Sequence, residues 1–267
     1  MKMLLTSFLG LFIFSIISGI AHAEVKSMPV EYKSADGTTL KGIMFWDDVI
    51  KGQRPGVLVF SEWMGLNDYT KMRATQLAKM GYAAFAADMY GDGKIAKDAT
   101  EAGQLAGAMK ADRPKMRERA NAALKTMLSQ KINGMTIVDP NRTAAIGFCF
   151  GGTTALELAR SGADVKGIVT FHGGLDSLHP EDAKNIKAKI LVLHGADDPT
   201  MTPEQIAAFQ DELRKANVDW RMIYYGDAVH SFTNPASGND KSKGVAYNER
   251  AAKRAWNDMQ LFFKEIF

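Results

Sequence analysis

The stretch Gly147-Phe148-Cys149-Phe150-Gly151-Gly152 decides how this chain is read. It has the form Gly-x-nucleophile-x-Gly, the sharp strand-to-helix turn known as a nucleophile elbow, with cysteine where serine is more usual. A turn that tight leaves no room for side chains two residues either side of the nucleophile. The pattern predicts a strand over residues 143–146 leading in and a helix over 153–160 leading out. Cys149 would then project from the carboxyl edge of a sheet at a helix N-terminus, where the macrodipole favours negative charge on sulfur.

Outward from the elbow, the chain alternates. Residues 30–32 and 40–45 flank Ala35-Asp36-Gly37-Thr38, where Asp-Gly signals a hairpin. Residues 56–60 and 82–87 are short, continuously apolar runs, as expected of strands buried on both faces. A helix is expected over 69–80, stopped by Gly81. Residues 98–130 read as helix-rich with a break at Asp112-Arg113-Pro114. Further strands are expected at 165–171, 189–194 and 220–225, and helices at 203–216 and 245–266. A hairpin followed by alternating strands and helices predicts an α/β fold: a mostly parallel central sheet with helices on both faces. Its active site belongs at the carboxyl ends of the strands.

Residues 1–23 read as a cleaved signal peptide. Lys2 supplies the basic start, residues 4–20 the apolar run, and Ala21-His22-Ala23 the cleavage site before Glu24. Removing them from the 267 residues leaves 244, read as a single domain over 24–267. The expected location is outside the cytoplasm, in the periplasm, with no membrane attachment after cleavage. The formal charge of the whole chain is +3, and the basic stretch 110–119 is interleaved with Asp112 and Glu118. That pattern suits a solvated helix face and gives no sign of a nucleic-acid partner. Cys149 is the only cysteine, so an exported form has no internal disulfide.

A nucleophilic cysteine needs a base, and the base needs an orienting acid. The order nucleophile, acid, histidine is met by Cys149, Asp198 and His230, spaced 49 and 32 residues apart. His172 precedes the acid, His179 lies in a polar loop and His194 falls at a strand end, so His230 is the expected base. Asp197 competes with its neighbour, and the Gly-x-x-Asp count from Gly195 selects Asp198. An oxyanion hole needs two backbone N–H donors. Phe150, after the nucleophile, and Trp63, in the loop Ser61-Glu62-Trp63-Met64-Gly65-Leu66-Asn67, are the candidates. Glu62 directly follows an apolar strand and should be partly buried near Cys149.

Together with Ser61-Glu62-Trp63-x-Gly65, Asp88-Met89-Tyr90-Gly91, His194-Gly195-Ala196-Asp197-Asp198-Pro199 and His230-Ser231-Phe232, the elbow resembles the dienelactone hydrolase family. The resemblance runs over the whole length after the leader. It implies an α/β-hydrolase fold, a Cys149–His230–Asp198 triad, and a Glu62 that restrains the thiol until substrate displaces it. The implied reaction is hydrolysis of a small ester or lactone through a thioester, with no metal and no organic cofactor, by a monomer. Tyr90 and Phe232 join Trp63, Phe148 and Phe150 as candidates for the cleft walls. The chain departs from the family where two arginines would bind a substrate carboxylate: it has Asp92 and Asn234 there. Neither can form a bidentate, charge-assisted pair, so dienelactone itself is not the expected substrate. Arg113, Arg117 and Arg142 are the other basic residues considered for that task. Two rival readings, a thiol redox protein using Cys149 and a non-catalytic binding module, share the same fold.

Overall fold

The computed structural model describes residues 24–267; the expected export signal lies outside them. In chain order the elements are β1 (Val25–Lys33), β2 (Thr39–Asp47), β3 (Arg54–Phe60), α1 (Asp68–Lys79), β4 (Ala83–Ala87), α2 (Ala99–Ala111) and α3 (Arg113–Ser129). There follow β5 (Lys131–Ile132), β6 (Met135–Thr136), β7 (Val138–Phe148), α4 (Phe150–Arg160), β8 (Gly167–Phe171), β9 (Lys189–Gly195), α5 (Pro203–Lys215), β10 (Trp220–Tyr225) and α6 (Glu249–Ile266). Eight strands form one sheet in the order β1-β2-β4-β3-β7-β8-β9-β10. β2 pairs antiparallel with β1 and with β4, and every pair from β4 to β10 is parallel. Among the described residues no helix is long and apolar enough to cross a membrane.

The apolar runs are explained by the two cores. Along β3, Leu58 and Phe60 enter one core while Val57 and Val59 enter the other. Along β7, Ala145 enters the first while Ala144, Ile146 and Phe148 enter the second. A strand buried on both faces has no polar side to show, so it reads as a continuous apolar run. α3 and α4 cover the first core, and α1 and α6 cover the second. Met259, Phe262 and Phe263 of α6 are buried, each contributing about 1.5–3 kcal/mol by leaving water.

The helix boundaries around the site have local reasons; the break expected at Asp112-Arg113-Pro114 is there, while α4 and α6 start elsewhere than the sequence reading had them. α4 starts at Phe150, directly after the elbow, because Gly152 and Thr153 already donate their N–H groups to the Cys149 carbonyl at 2.9 and 3.3 Å. Asp112 both ends α2 and caps α3, accepting from Lys115 N at 3.0 Å, with Pro114 in the first turn. α6 starts at Glu249, capped by Asn248, and the segment expected as its first turn does something else: Val245 bridges His230. The small β5–β6 ribbon turns on Asn133-Gly134, both at positive φ, and the sequence reading did not anticipate it.

Candidate active site

β7 delivers Cys149 to the carboxyl edge in a backbone conformation, φ 52° and ψ −116°, that a non-glycine residue adopts at a cost of about 1–3 kcal/mol. Surrounding contacts hold it there. Cys149 N–H donates to the Phe171 carbonyl of β8 at 3.0 Å. A Cβ on Gly147 would sit 1.9 Å from the Gly151 carbonyl oxygen, and one on Gly151 would sit 2.2 Å from that of Phe60. Both positions therefore require glycine.

The thiol faces His230. Nε2 of His230 lies 3.1 Å from Cys149 Sγ, and Nδ1 lies 2.9 Å from Asp198 Oδ2. His230 is fixed from both sides of its backbone: its N–H donates to Gly244 and its carbonyl accepts from Ala246, each at 3.1 Å. Thus the stretch read as helix is the clamp of the histidine loop. Asp198 is buried and Asp197 exposed. Thr200 donates to Asp198 Oδ1 through its backbone N–H at 2.9 Å and its hydroxyl at 2.6 Å. Spacing along the sequence gave no sign of that support.

The electrostatics separate acid and base. Burial alone would depress His230, but the hydrogen bonds and charges of Asp198 and Cys149 push it up to about 10. Burial would raise Asp198, yet the His230 and Thr200 contacts bring it down to about 2. His172 lies one ring away, 5.3 Å from His230, fully buried with Nε2 2.7 Å from Thr233 Oγ1. Burial and the neighbouring His230 hold its affinity for a proton well below normal. His194 packs edge-on to Tyr224, and His179 is exposed beside Glu181.

Trp63 and Phe150 both line the cleft next to the thiol. Phe150 opens α4, so its N–H precedes the first turn's internal bonds and is open to an incoming oxygen. The Trp63 residue is held from its carbonyl side by the Tyr90 hydroxyl at 2.7 Å. Tyr90 therefore backs the cleft wall, its ring 5.5 Å from that of Phe150. Phe232, expected on the wall, is instead completely buried, packed on His172 and Tyr225 at 5.4 Å. The chain turns there so that His230 faces the cleft and Phe232 faces the core.

Two lobes flank the thiol. One, of about 520 Å³, is lined by Trp63, Lys110, Phe150, Asp176, Met201 and Gln205. The other, of about 410 Å³, is lined by Glu62, Trp63, Met64, Ser231, Asn234 and Val245. Glu62 is buried; its carboxylate accepts from Ser231 Oγ at 2.6 Å and Asn234 Nδ2 at 2.5 Å. Asp92 points into solvent, 3.9 Å from Lys41. Of the arginines considered, Arg113 is bound to Asp176, Arg117 to Glu157 and Asp182, and Arg142 to Asp139. The cation that lines a lobe is Lys110, which the sequence reading had left on a solvated helix face.

Comparison with known proteins gives the family and the fold. A model described as "Dienelactone hydrolase family" matches residues 43–267. The solved structure m3DLH is 45% identical, with a TM-score of 0.86, covering 91% of this chain and 99% of its own. A dienelactone hydrolase-like promiscuous phosphotriesterase from metagenomic libraries is 44% identical, with a TM-score of 0.84 and coverages of 91% and 99%. A Salmonella typhimurium protein named "Putative carboxymethylenebutenolidase" is 27% identical over 93% of this chain and 96% of its own. The chain belongs to the dienelactone hydrolase family, as an α/β-hydrolase acting on ester or lactone bonds.

Proposed function

We propose that Cys149 is the nucleophile of this hydrolysis, with His230 as base and acid and Asp198 as its orienting group. The observation that carries the reading is the unbroken line from Sγ through both imidazole nitrogens to a buried carboxylate, 3.1 and 2.9 Å. The sulfur attacks the carbonyl carbon, and the N–H groups of Phe150 and Trp63 receive the developing oxyanion. His230 gives a proton to the leaving alkoxide, leaving an acyl thioester on Cys149. It then takes a proton from water, whose oxygen attacks the thioester and restores the thiolate–imidazolium pair.

Glu62 is the carboxylate we assign to control of the thiol's resting state. Here it is engaged by Ser231 and Asn234 while the thiol is engaged by His230, which is the arrangement of a competent site. We further infer export: cleavage after Ala23 gives a monomeric periplasmic enzyme of one domain, and N-terminal sequencing of the periplasmic form should begin at Glu24.

Hydrolysis of p-nitrophenyl acetate tests the nucleophile. Cys149→Ala should lose at least about a thousandfold in kcat, and intact-mass analysis of wild type should catch an acyl adduct that the variant lacks. Wild-type rates in Cys149→Ala would end the assignment. A neutral phosphotriester belongs in the same panel, given the activity named for the metagenomic relative.

A further inference from the structure

Two buried charges, Glu62 on the cleft wall and Arg73 of α1, have no ion-pair partner within contact distance among the described residues. Arg73 of α1 is 8% exposed. Its guanidinium donates to the Tyr69 hydroxyl at 3.2 Å, the Gln76 side-chain carbonyl at 3.0 Å and the Thr233 backbone carbonyl at 2.8 Å. It also stacks over Trp256, Tyr69 and Phe148 at 4.9, 5.1 and 5.6 Å. All five of these residues are neutral, and among the described residues no carboxylate lies within salt-bridge distance of it. Glu62, buried on the cleft side, is likewise held by neutral donors, Ser231 and Asn234. Buried charges are ordinarily paired.

One turn joins the two groups. Ser231 and Asn234 grip Glu62, and Thr233, between them, accepts from Arg73. Asn234 carries no charge of its own. We propose that Arg73 is the counter-charge of Glu62, a positioning residue that keeps the carboxylate beside Cys149 ionised through the 231–234 turn. The proposal rests on the reading of Glu62 as the group controlling the thiol. In a poorly polarisable interior such an attraction acts beyond contact distance.

The other groups facing Glu62 do not replace Arg73. His230 is a second cation whose charge acts on Glu62, but it is bonded to Asp198 and Cys149 and belongs to them first. Tyr69 is bonded to Thr233 at 2.7 Å and, buried, keeps its proton. His172, on the other side of Thr233, is neutral. Burial lifts Glu62 above the usual carboxylate range, and the Ser231 and Asn234 bonds, with the charges of His230 and Arg73, pull it back. Without Arg73 the pull weakens and Glu62 takes up a proton at higher pH. A protonated Glu62 is an acid next to the sulfur and can quench it.

The experiment follows the Glu62 carboxyl by carbon-13 NMR in labelled protein, its signal identified by loss in Glu62→Gln. Arg73→Met and Arg73→Gln should raise the titration midpoint by about one unit, tenfold in proton affinity. Arg73→Lys should keep it within about a third of a unit of wild type, a readout that lost packing alone would not give. The acid limb of kcat/KM for a neutral ester should move up with the midpoint in Arg73→Met, and should not move when Glu62→Gln is already present. An unmoved midpoint in either folded neutral variant overturns the proposal. If neither folds, a full-unit rise in Arg73→Lys, where the charge remains, overturns it. The titration can be repeated in Cys149→Ala, so failure of the nucleophile assignment would show separately.

Discussion

The two ends of α4 each carry a buried ionisable assembly, and the two differ in kind. At the N-terminal end lie Cys149, His230 and Asp198. At the C-terminal end Arg160 forms a bidentate pair with Glu212 at 2.7 and 2.9 Å and a bond to Glu157 at 2.9 Å. Glu157 also binds Arg117 at 2.7 Å. In this second cluster Glu212 meets Arg160 in fork geometry, Glu157 bridges Arg160 and Arg117 with one oxygen to each, and none of these residues has a positive φ. At the elbow the backbone is strained, the central atom is sulfur at a cleft, and proton affinities are driven apart, His230 up and Asp198 down. Burial and charge alone do not mark a catalytic site, since structural ion networks share both. Strain, access and opposed proton affinities together do.

The largest effect that tests the contrast is Asp198→Asn. It should cut kcat for ester hydrolysis by about 10²–10⁴ while the folded protein persists, because the amide no longer stabilises the imidazolium. The histidine should titrate lower, toward its ordinary range near 6.5. The sign of the stability change follows. His230 has a raised folded-state value, so its contribution is full below about 6.5 and is lost as pH rises through about 10. Asp198 has a lowered one, so its contribution is full above about 3.8 and is lost as pH falls through about 2. Urea unfolding should therefore separate wild type from Asp198→Asn more at pH 6 than at pH 10.5. Equal separation at both would break the electrostatic account of the triad.

Glu157→Gln probes the other end of the helix. Glu157 is fully buried between Arg160 and Arg117, and removing its charge leaves Arg160 with Glu212 alone and Arg117 with Asp182 alone. Stranding a buried charge outright costs about 3–5 kcal/mol; with Glu212 and Asp182 still in place the loss should be smaller, read as an earlier midpoint in urea. kcat/KM per folded molecule should stay within about twofold. A large loss of kcat in folded Glu157→Gln would erase the distinction between the two assemblies.

The order of the proposed triad was legible in the sequence because each member sits where chain direction changes. Gly147 and Gly151 mark the elbow through forbidden Cβ positions, and Asp198 and His230 follow β9 and β10. Buried strands were legible as unbroken apolar runs. What stayed hidden were contacts made through single polar side chains across distant segments. Nothing in the spacing says that Thr200 braces Asp198, that residues 244–246 clamp His230, or that Arg73 reaches Thr233. The polar tail before α6 looked helical because Val245 and Ala246 continue its apolar pattern, but the backbone groups of Gly244 and Ala246 are committed to His230. The β5–β6 ribbon was missed because two residues per strand are too few for any periodicity, although Asn133-Gly134 is itself a hairpin signal.

Thr200→Val gives the smallest effect and the finest test of how the two assemblies differ. In the Arg160 cluster the side-chain ligands, Glu157 and Glu212, are both charged, so each loss is expensive. At the triad, support for Asp198 is graded: Thr200 gives one hydroxyl bond at 2.6 Å and one backbone bond at 2.9 Å, and valine removes only the first. One neutral-to-charged hydrogen bond at a partly exposed residue is worth about 1.5 kcal/mol, so kcat should fall by about tenfold or less, with KM unchanged. The hydroxyl also lies 3.2 Å from His230 Nδ1, where it competes with the carboxylate for the imidazole. Its loss therefore leaves Asp198 as the sole partner of Nδ1, and the histidine should titrate slightly lower as Asp198 reorients. A loss of kcat as large as that of Asp198→Asn would mean that Thr200 and Asp198 act as one unit. The triad would then be as cooperative as the ion cluster, differing from it only in the sulfur.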